Sequence, residues 1–241
     1  MTVPETRAYE LVVLDMAGTT VRDDGVVERA FERAHQRTGV ADRMSWDDAL
    51  QYVRATMGQS KFDVFTHLAG GDTARAAEAT AAFERAYAEL IGEDGVEPIP
   101  GARELLEDLR ESGIGVVLTT GFAPVTRDAI IDGLGWGDLV DAALSPADVG
   151  RGRPAPDLVL GAALLGQVSG VAAIAVAGDT ASDIGAGLAA GAGLVVGVLS
   201  GAHDRATLEA AGAHAVIDDV TGLRALLGLP AAAGIPASGG V

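Results

Sequence analysis

The stretch Glu10-Leu-Val-Val-Leu-Asp15, followed by Met16-Ala17-Gly18-Thr19-Thr20, decides the fold. A short apolar run that ends in a carboxylate and then in turn-forming residues reads as a buried strand whose C-terminal end opens into a loop. Downstream the period changes. Val26, Val27, Ala30, Phe31 and Ala34 share one helical face, as do Ala49, Tyr52, Val53 and Thr56. Met57-Gly58 interrupts the pattern, and Ser60 is placed to cap a helix over Lys61–Leu68. Gly70-Gly71-Asp72 breaks it again before a long Ala-rich helix to about Leu90, and Gly92–Gly101 reads as a linker. Beyond the linker, helices and strands alternate. Helices are predicted at Ala102–Ser112, Pro124–Asp132, Asp157–Leu165, Asp183–Ala190, Asp204–Ala211 and Val220–Leu227. Strands are predicted at Ile114–Thr119, Leu139–Leu144, Ala173–Ala177, Leu194–Val198 and Ala215–Ile217. Such alternation implies an α/β protein with a doubly wound parallel sheet, interrupted after its first strand by a helical insertion. The expected division is 1–22 with 96–230 for the sheet domain, 23–95 for the insertion and 231–241 for a flexible Gly/Pro tail.

The 241 residues include 17 basic and 34 acidic ones, a formal charge of −17 that argues against nucleic acid or an anionic membrane surface as partner. Hydrophobic residues make up 49% of the chain, enough for a sizeable core. With no cysteine, disulfides, thiolate metal sites and cysteine nucleophiles are all excluded. No signal-peptide pattern and no long apolar run are seen, so a cytoplasmic protein is expected. Of the 17 basic residues 16 are arginine, and Lys61 is the sole lysine.

In doubly wound sheets ligands bind at the carboxyl ends of strands. Asp15, Thr119-Thr120, Arg151/Arg153 and Asp179 fall there. Asp15 and Asp179, with Asp183 in Gly178-Asp179-Thr180-Ala181-Ser182-Asp183, are candidate oxygen ligands for Mg²⁺. Thr120 can offer its hydroxyl to a phosphoryl oxygen, Gly121 lets the backbone approach, and Arg153 supplies a planar cation. The set suits an aspartate attacking phosphorus while metal and arginine balance the charge.

Asp15, Thr120, Arg153 and Asp179/Asp183, in that order, resemble the four motifs of haloacid dehalogenase superfamily hydrolases, across nearly the whole chain. Two departures narrow the resemblance. Where most superfamily phosphatases carry a second aspartate, which protonates the leaving alkoxide, this chain has Ala17, and where most carry a lysine it has Arg153. The forms Asp15-Met-Ala17-Gly-Thr19 and Gly152-Arg153-Pro154, with Met57-Gly58-Gln59-Ser60-Lys61 in the insertion, are similar to phosphonoacetaldehyde hydrolase and its relatives. The resemblance implies a haloacid dehalogenase-like Rossmannoid core with an inserted helical cap, Mg²⁺ held by Asp15, the Ala17 carbonyl, Asp179 and Asp183, and a small anionic phosphonate substrate. It implies Met57, Gly58, Thr120, Gly121, Phe122 and Arg153 as substrate-binding residues, cap closure over hinges near Val21–Gly25 and Gly92–Gly101, and a homodimer through cap helices, for which the Phe31/Trp46 region offers apolar residues.

The chemistry joins the two departures. A phosphate ester leaves as an alkoxide and needs an acid; a phosphonate must leave as a carbanion, which a carboxylic acid protonates poorly. A lysine condensed with a carbonyl β to phosphorus makes an iminium that accepts the electron pair. Losing the acid at Ala17 and keeping an amine at Lys61 are therefore coupled, and arginine cannot replace that amine because it stays protonated. Catalytic roles are expected for Asp15, Lys61, Thr120 and Arg153, with Ala17 marking the missing acid. The family's cap histidine is replaced by Val64, leaving His67 as a substitute one turn on, and its usual tyrosine by Phe122. Rival readings are a phosphomonoester phosphatase, which would have to recruit an acid such as Asp63 from the cap, and a non-catalytic binding protein that kept the fold.

Overall fold

A computed structural model describes residues 9–229; the expected tail at 231–241 and the extreme N-terminus lie outside them. Strand β1 (Leu11–Asp15) is followed by four helices, α1 (Val26–Thr38), α2 (Trp46–Ala55), α3 (Lys61–Leu68) and α4 (Thr73–Asp94). The alternating part comprises α5 (Ala102–Glu111), β2 (Gly115–Thr119), α6 (Pro124–Leu134), β3 (Ala142–Leu144), α7 (Pro146–Val149), α8 (Asp157–Leu165), β4 (Ile174–Gly178), α9 (Ala181–Ala190), β5 (Leu194–Val198), α10 (Arg205–Ala210), β6 (Ala215–Ile217) and α11 (Leu223–Leu227).

The six strands form one parallel sheet in the order β3-β2-β1-β4-β5-β6. The strand order reverses at β1/β4, the crevice where such sheets bind ligands, and Asp15 ends β1 there, in register with Thr119 of β2. Side-chain alternation along β1 sends Val12 and Leu14 into one apolar cluster and Leu11 and Val13 into another, so the sheet is covered on both faces.

The four helices after β1 form the cap. Asp72 accepts from the Ala74 and Arg75 N–H groups to start α4. Small residues let α1 and α4 lie close: Ala30 and Ala34 on one, Ala79, Ala82 and Ala86 on the other, all fully buried. Between them Phe31, Phe65 and Phe83 cluster with ring centroids 4.8–6.1 Å apart. Burying each ring contributes about 2–3 kcal/mol.

Several expectations shift. The strand predicted over Leu139–Leu144 is ordered only from Ala142. Its first half is displaced because the Asp141 carboxylate takes the Val116 N–H at 2.7 Å, in place of a ladder bond from a longer strand. Helix α9 starts at Ala181, ahead of the expected Asp183, because Thr180 and Asp183 form a reciprocal capping box. Helix α4 runs past Leu90 to Asp94, so the linker starts at Gly95, and the single-turn α7 is an addition. Ser60 takes the N-cap position of α3 without a side-chain capping bond. Phe31, expected to offer an outer apolar surface, turns into the cap interior, while Trp46 is half-buried and stacks on His35 at 4.9 Å. Among the described residues no helix is long and apolar enough to cross a membrane.

Candidate active site

The strand ends bring four charged side chains into one buried cluster. The Arg153 guanidinium donates to Asp15 Oδ1 at 2.5 Å and also to Asp183. Asp179 accepts from the Thr19 hydroxyl at 3.2 Å and from the Ala202 N–H at 2.7 Å. The loop after Asp15 is fastened by the Thr20 hydroxyl donating to the Asp15 carbonyl and by the Ser200 hydroxyl donating to the Gly18 carbonyl. Thr120 stands beside this cluster at the end of β2, its N–H given to the Leu144 carbonyl and its Oγ1 accepting the Phe122 N–H. Arg153 Nε is buried and has no hydrogen-bond partner among the described residues, a donor left over for an anion.

Three of these groups fit a hard divalent cation. Carboxylate oxygens of Asp15, Asp179 and Asp183 lie within 4.8 Å of one another, all buried, and an oxygen-only donor set of this kind suits Mg²⁺. Burial lifts the Asp15 carboxyl to about 6, against the pull of Arg153. Burial, and then the charges of Asp15 and Asp183, push Asp179 well above the usual carboxylate range. Mutual repulsion in a dry site is the strain that a bound cation relieves.

Opposite this cluster stands the cap's contribution. Lys61 begins α3, is only 6% exposed, and is held in an aromatic box: its Nζ lies 5.5 Å from the Phe31 centroid, 5.6 Å from Phe83 and 5.3 Å from Phe122. The ring faces attract an ammonium, but desolvation outweighs them. Burial, then the Arg153 charge, bring the lysine down to about 8, with Glu84, Asp23 and Asp15 opposing. Its place at the first residue of a helix, among outward-pointing N–H groups, works in the same direction as burial.

The segment Met57–Ser60 seats the cap on the core. The Ser182 hydroxyl donates to the Met57 carbonyl at 3.0 Å. Gly58 adopts a φ of 81°, and a Cβ there would meet Thr180 Oγ1 at 2.5 Å. At Gly121 a Cβ would lie 2.5 Å from the Gln59 carbonyl oxygen. Only glycine permits approaches this close. Between cap and core remains a cleft of about 720 Å³ whose walls include Asp15, Ala17, Met57, Lys61, Thr120 and Asp179. Gly58, Gly121, Phe122 and Arg153 also line it. The structure thus brings the sequence-predicted residues to one cavity, apart from Asp183, which reaches the cluster from beneath through Arg153 and Thr180.

Other candidates lie elsewhere. His67 is exposed and stacks on Tyr52 at 3.8 Å, absent from the cleft wall. Asp63 is exposed and lines an adjoining cavity of about 290 Å³ that shares Lys61, Gly121 and Phe122 with the cleft. Arg151 is spent at the surface on Asp157. Sequence reasoning missed Asp23, which lines the cleft and accepts the Val27 N–H at 3.0 Å, and His203, whose Nδ1 accepts the Ala181 N–H. It also missed Glu84, a carboxylate on the buried side of the Ala-rich helix; a lone acid on an otherwise apolar face was the available signal.

Comparison with known proteins agrees with this geometry. Residues 9–191 match the family model of haloacid dehalogenase-like hydrolases. A phosphonoacetaldehyde hydrolase of Bordetella pertussis (strain Tohama I) is 29% identical over 258 residues, covering 90% of this chain and 91% of that one. The validoxylamine A 7'-phosphate phosphatase of Streptomyces hygroscopicus subsp. limoneus is 24% identical over 149 residues, covering 62% and 67%. Among solved structures, a phosphonoacetaldehyde hydrolase-like protein from Oleispira antarctica superposes with a TM-score of 0.77 at 25% identity, covering 95% of this chain and 94% of that one. The chain belongs to the haloacid dehalogenase-like hydrolases.

Proposed function

We propose that this hydrolase cleaves the carbon–phosphorus bond of a 2-oxoalkylphosphonate, phosphonoacetaldehyde or a near analogue. The observation that carries the reading is the sole lysine of the chain, buried in an aromatic box and brought to about 8, on the wall of the same cleft as Asp15. A primary amine so placed is a nucleophile for a carbonyl near neutral pH.

In this mechanism Lys61, as free amine, adds to the carbonyl carbon, and loss of water leaves an iminium. Thr120 and Arg153 hold the phosphoryl oxygens, Arg153 offering the Nε that has no other partner. An Asp15 carboxylate oxygen attacks phosphorus in line. The carbon–phosphorus bond breaks, its electron pair moves into the iminium to give an enamine, and an aspartyl-phosphate forms. Water hydrolyses the aspartyl-phosphate, releasing inorganic phosphate and restoring Asp15. The enamine takes a proton on carbon, and hydrolysis of the resulting iminium frees the methyl carbonyl product and Lys61. Asp15, Asp179 and Asp183, with the Ala17 carbonyl, would hold Mg²⁺, which when bound offsets the negative charge of the phosphoryl group. Met57, Gly58, Gly121 and Phe122 close the cleft around the substrate and exclude water.

A phosphomonoester phosphatase remains the rival, and relatives of that activity exist. The chain has alanine at 17 and Asp63 does not line the cleft, so that reading would have to recruit another acid, such as Asp23 on the cleft wall. Borohydride added during incubation with phosphonoacetaldehyde is expected to leave a covalent adduct on Lys61, located by peptide mass spectrometry. Wild-type protein that hydrolyses phosphate esters but is never trapped would sink the proposal.

A further inference from the structure

Glu84, on cap helix α4, is buried at 9% exposure, and its partners are on the core. One carboxylate oxygen accepts the Ala123 N–H at 3.0 Å and the other accepts the Thr126 hydroxyl. Ala123 is the N-cap residue of α6 and has no side chain able to cap it. The capping group is supplied from another element, 39 positions earlier in the chain for Ala123. Immediately before Ala123 lie Thr120, Gly121 and Phe122, so the bond is made at the root of the loop that carries both the phosphoryl-binding hydroxyl and one wall of the lysine's aromatic box. Phe83, the residue before Glu84, is another wall of that box.

We propose that Glu84 is a positioning residue: its carboxylate latches the cap to the root of the Thr120–Phe122 loop, and with the Met57–Ser60 seat it sets Lys61 and Thr120 relative to each other. The proposal rests on the phosphonatase reading, in which both ends of a short substrate must be held at once. Because the latch is made by two hydrogen bonds, it depends on an acceptor and a polar partner at that place, and an amide can supply both. The carbonyl of a glutamine takes the Ala123 N–H, and its NH₂ can donate to the Thr126 oxygen.

The test uses the full chain with Glu84→Ala, Glu84→Gln and Thr126→Val, read in two ways. Amide exchange of the Gly121–Thr126 segment needs no substrate. In Glu84→Ala it is expected to quicken about tenfold or more, and kcat on phosphonoacetaldehyde to fall about thirtyfold with a smaller change in KM, as misplacement of bound groups predicts. At pH 9, where Lys61 is largely free amine with or without the Glu84 charge, Glu84→Gln is expected to stay within about threefold of wild type, and Thr126→Val to fall between the two. Wild-type exchange and kcat in Glu84→Ala overturn the proposal, as does Glu84→Gln failing as badly as Glu84→Ala. If Glu84→Ala does not fold, Thr126→Val decides, and an unchanged kcat there overturns it. Wild-type protein without phosphonate turnover sinks the underlying reading, while the exchange contrast still reports on the latch. Normal turnover that ignores Glu84 sinks the latch alone.

Discussion

The two walls of the cleft are built on opposite principles. The core wall is ionic: three carboxylates and a guanidinium buried together, each held by hydrogen bonds. Facing it, one amine sits among three rings, Phe31 and Phe83 of the cap and Phe122 of the core loop after β2. On the proposed reading the core wall holds and transfers a phosphoryl group. The cap wall lowers the proton affinity of a single amine, a shift that Asp23, also on the cleft wall, opposes. On the proposed reading, what separates phosphonate from phosphate chemistry lies mainly on the cap, with Ala17, Arg153 and Phe122 as its counterparts on the core.

Removing groups from each wall should break this division in different ways. The largest effect is expected for Asp15→Ala, which takes away the attacking oxygen and should lower phosphate release from any substrate about 10⁴-fold or more, measured by phosphate assay. Lys61→Arg keeps the charge but cannot form an iminium. It should lower turnover of phosphonoacetaldehyde about 10³-fold, while binding of inorganic phosphate by calorimetry stays within a few fold. Equal loss of both would mean that the walls are not separable. Ala17→Asp restores the acid that an alkoxide leaving group needs, and should raise hydrolysis of a sugar phosphate about 10²-fold relative to wild type, with a smaller gain on p-nitrophenyl phosphate, whose phenolate leaves without an acid.

The mildest probe is pH. With Lys61 at about 8, the reactive free amine grows as pH rises through that value. Initial rates of borohydride trapping should rise about tenfold from pH 7 to pH 9 and then level off. A lysine left at its ordinary value would keep rising beyond pH 10. Phosphate binding, which uses Arg153, should not follow that curve.

The ionic wall is partly legible in the sequence because Asp15 ends one short apolar strand and Asp179 follows another, and strand ends in a parallel sheet are brought to one edge by topology alone; Arg153, between α7 and α8, and Asp183, inside α9, do not follow a strand directly. Asp15, Thr120 and Asp179 needed no knowledge of tertiary contacts. Lys61 was singled out by composition and by chemistry. Its surroundings were not legible. Phe31 and Phe83 read as ordinary core residues of two helices, and Phe31 was assigned to an outer surface. Nothing local says that rings so far apart in the chain enclose one amine. Glu84 shows in the sequence only as a lone acid on an apolar helix face; its partners Ala123 and Thr126 are not legible there, since they belong to another element. The early start of α9 and the shortened β3 follow from side chains that compete for backbone groups, Thr180 with Asp183 and Asp141 with Val116, and such competition shifts boundaries without changing the order of elements.

The place of β1 in the sheet has a consequence for how the molecule is made. Its neighbours are β2 and β4, so Leu11 pairs with Gly115 on one side and Ile174 on the other. The strand bearing Asp15 precedes the other five of the sheet in the chain, yet both its edges are satisfied only once residue 174 exists. The cap, whose helices pack on one another over a short span of chain, can assemble in the meantime. The lysine's box is complete only once Phe122 has followed β2, and until β4 is made the first strand keeps an unpaired edge open to wrong pairing.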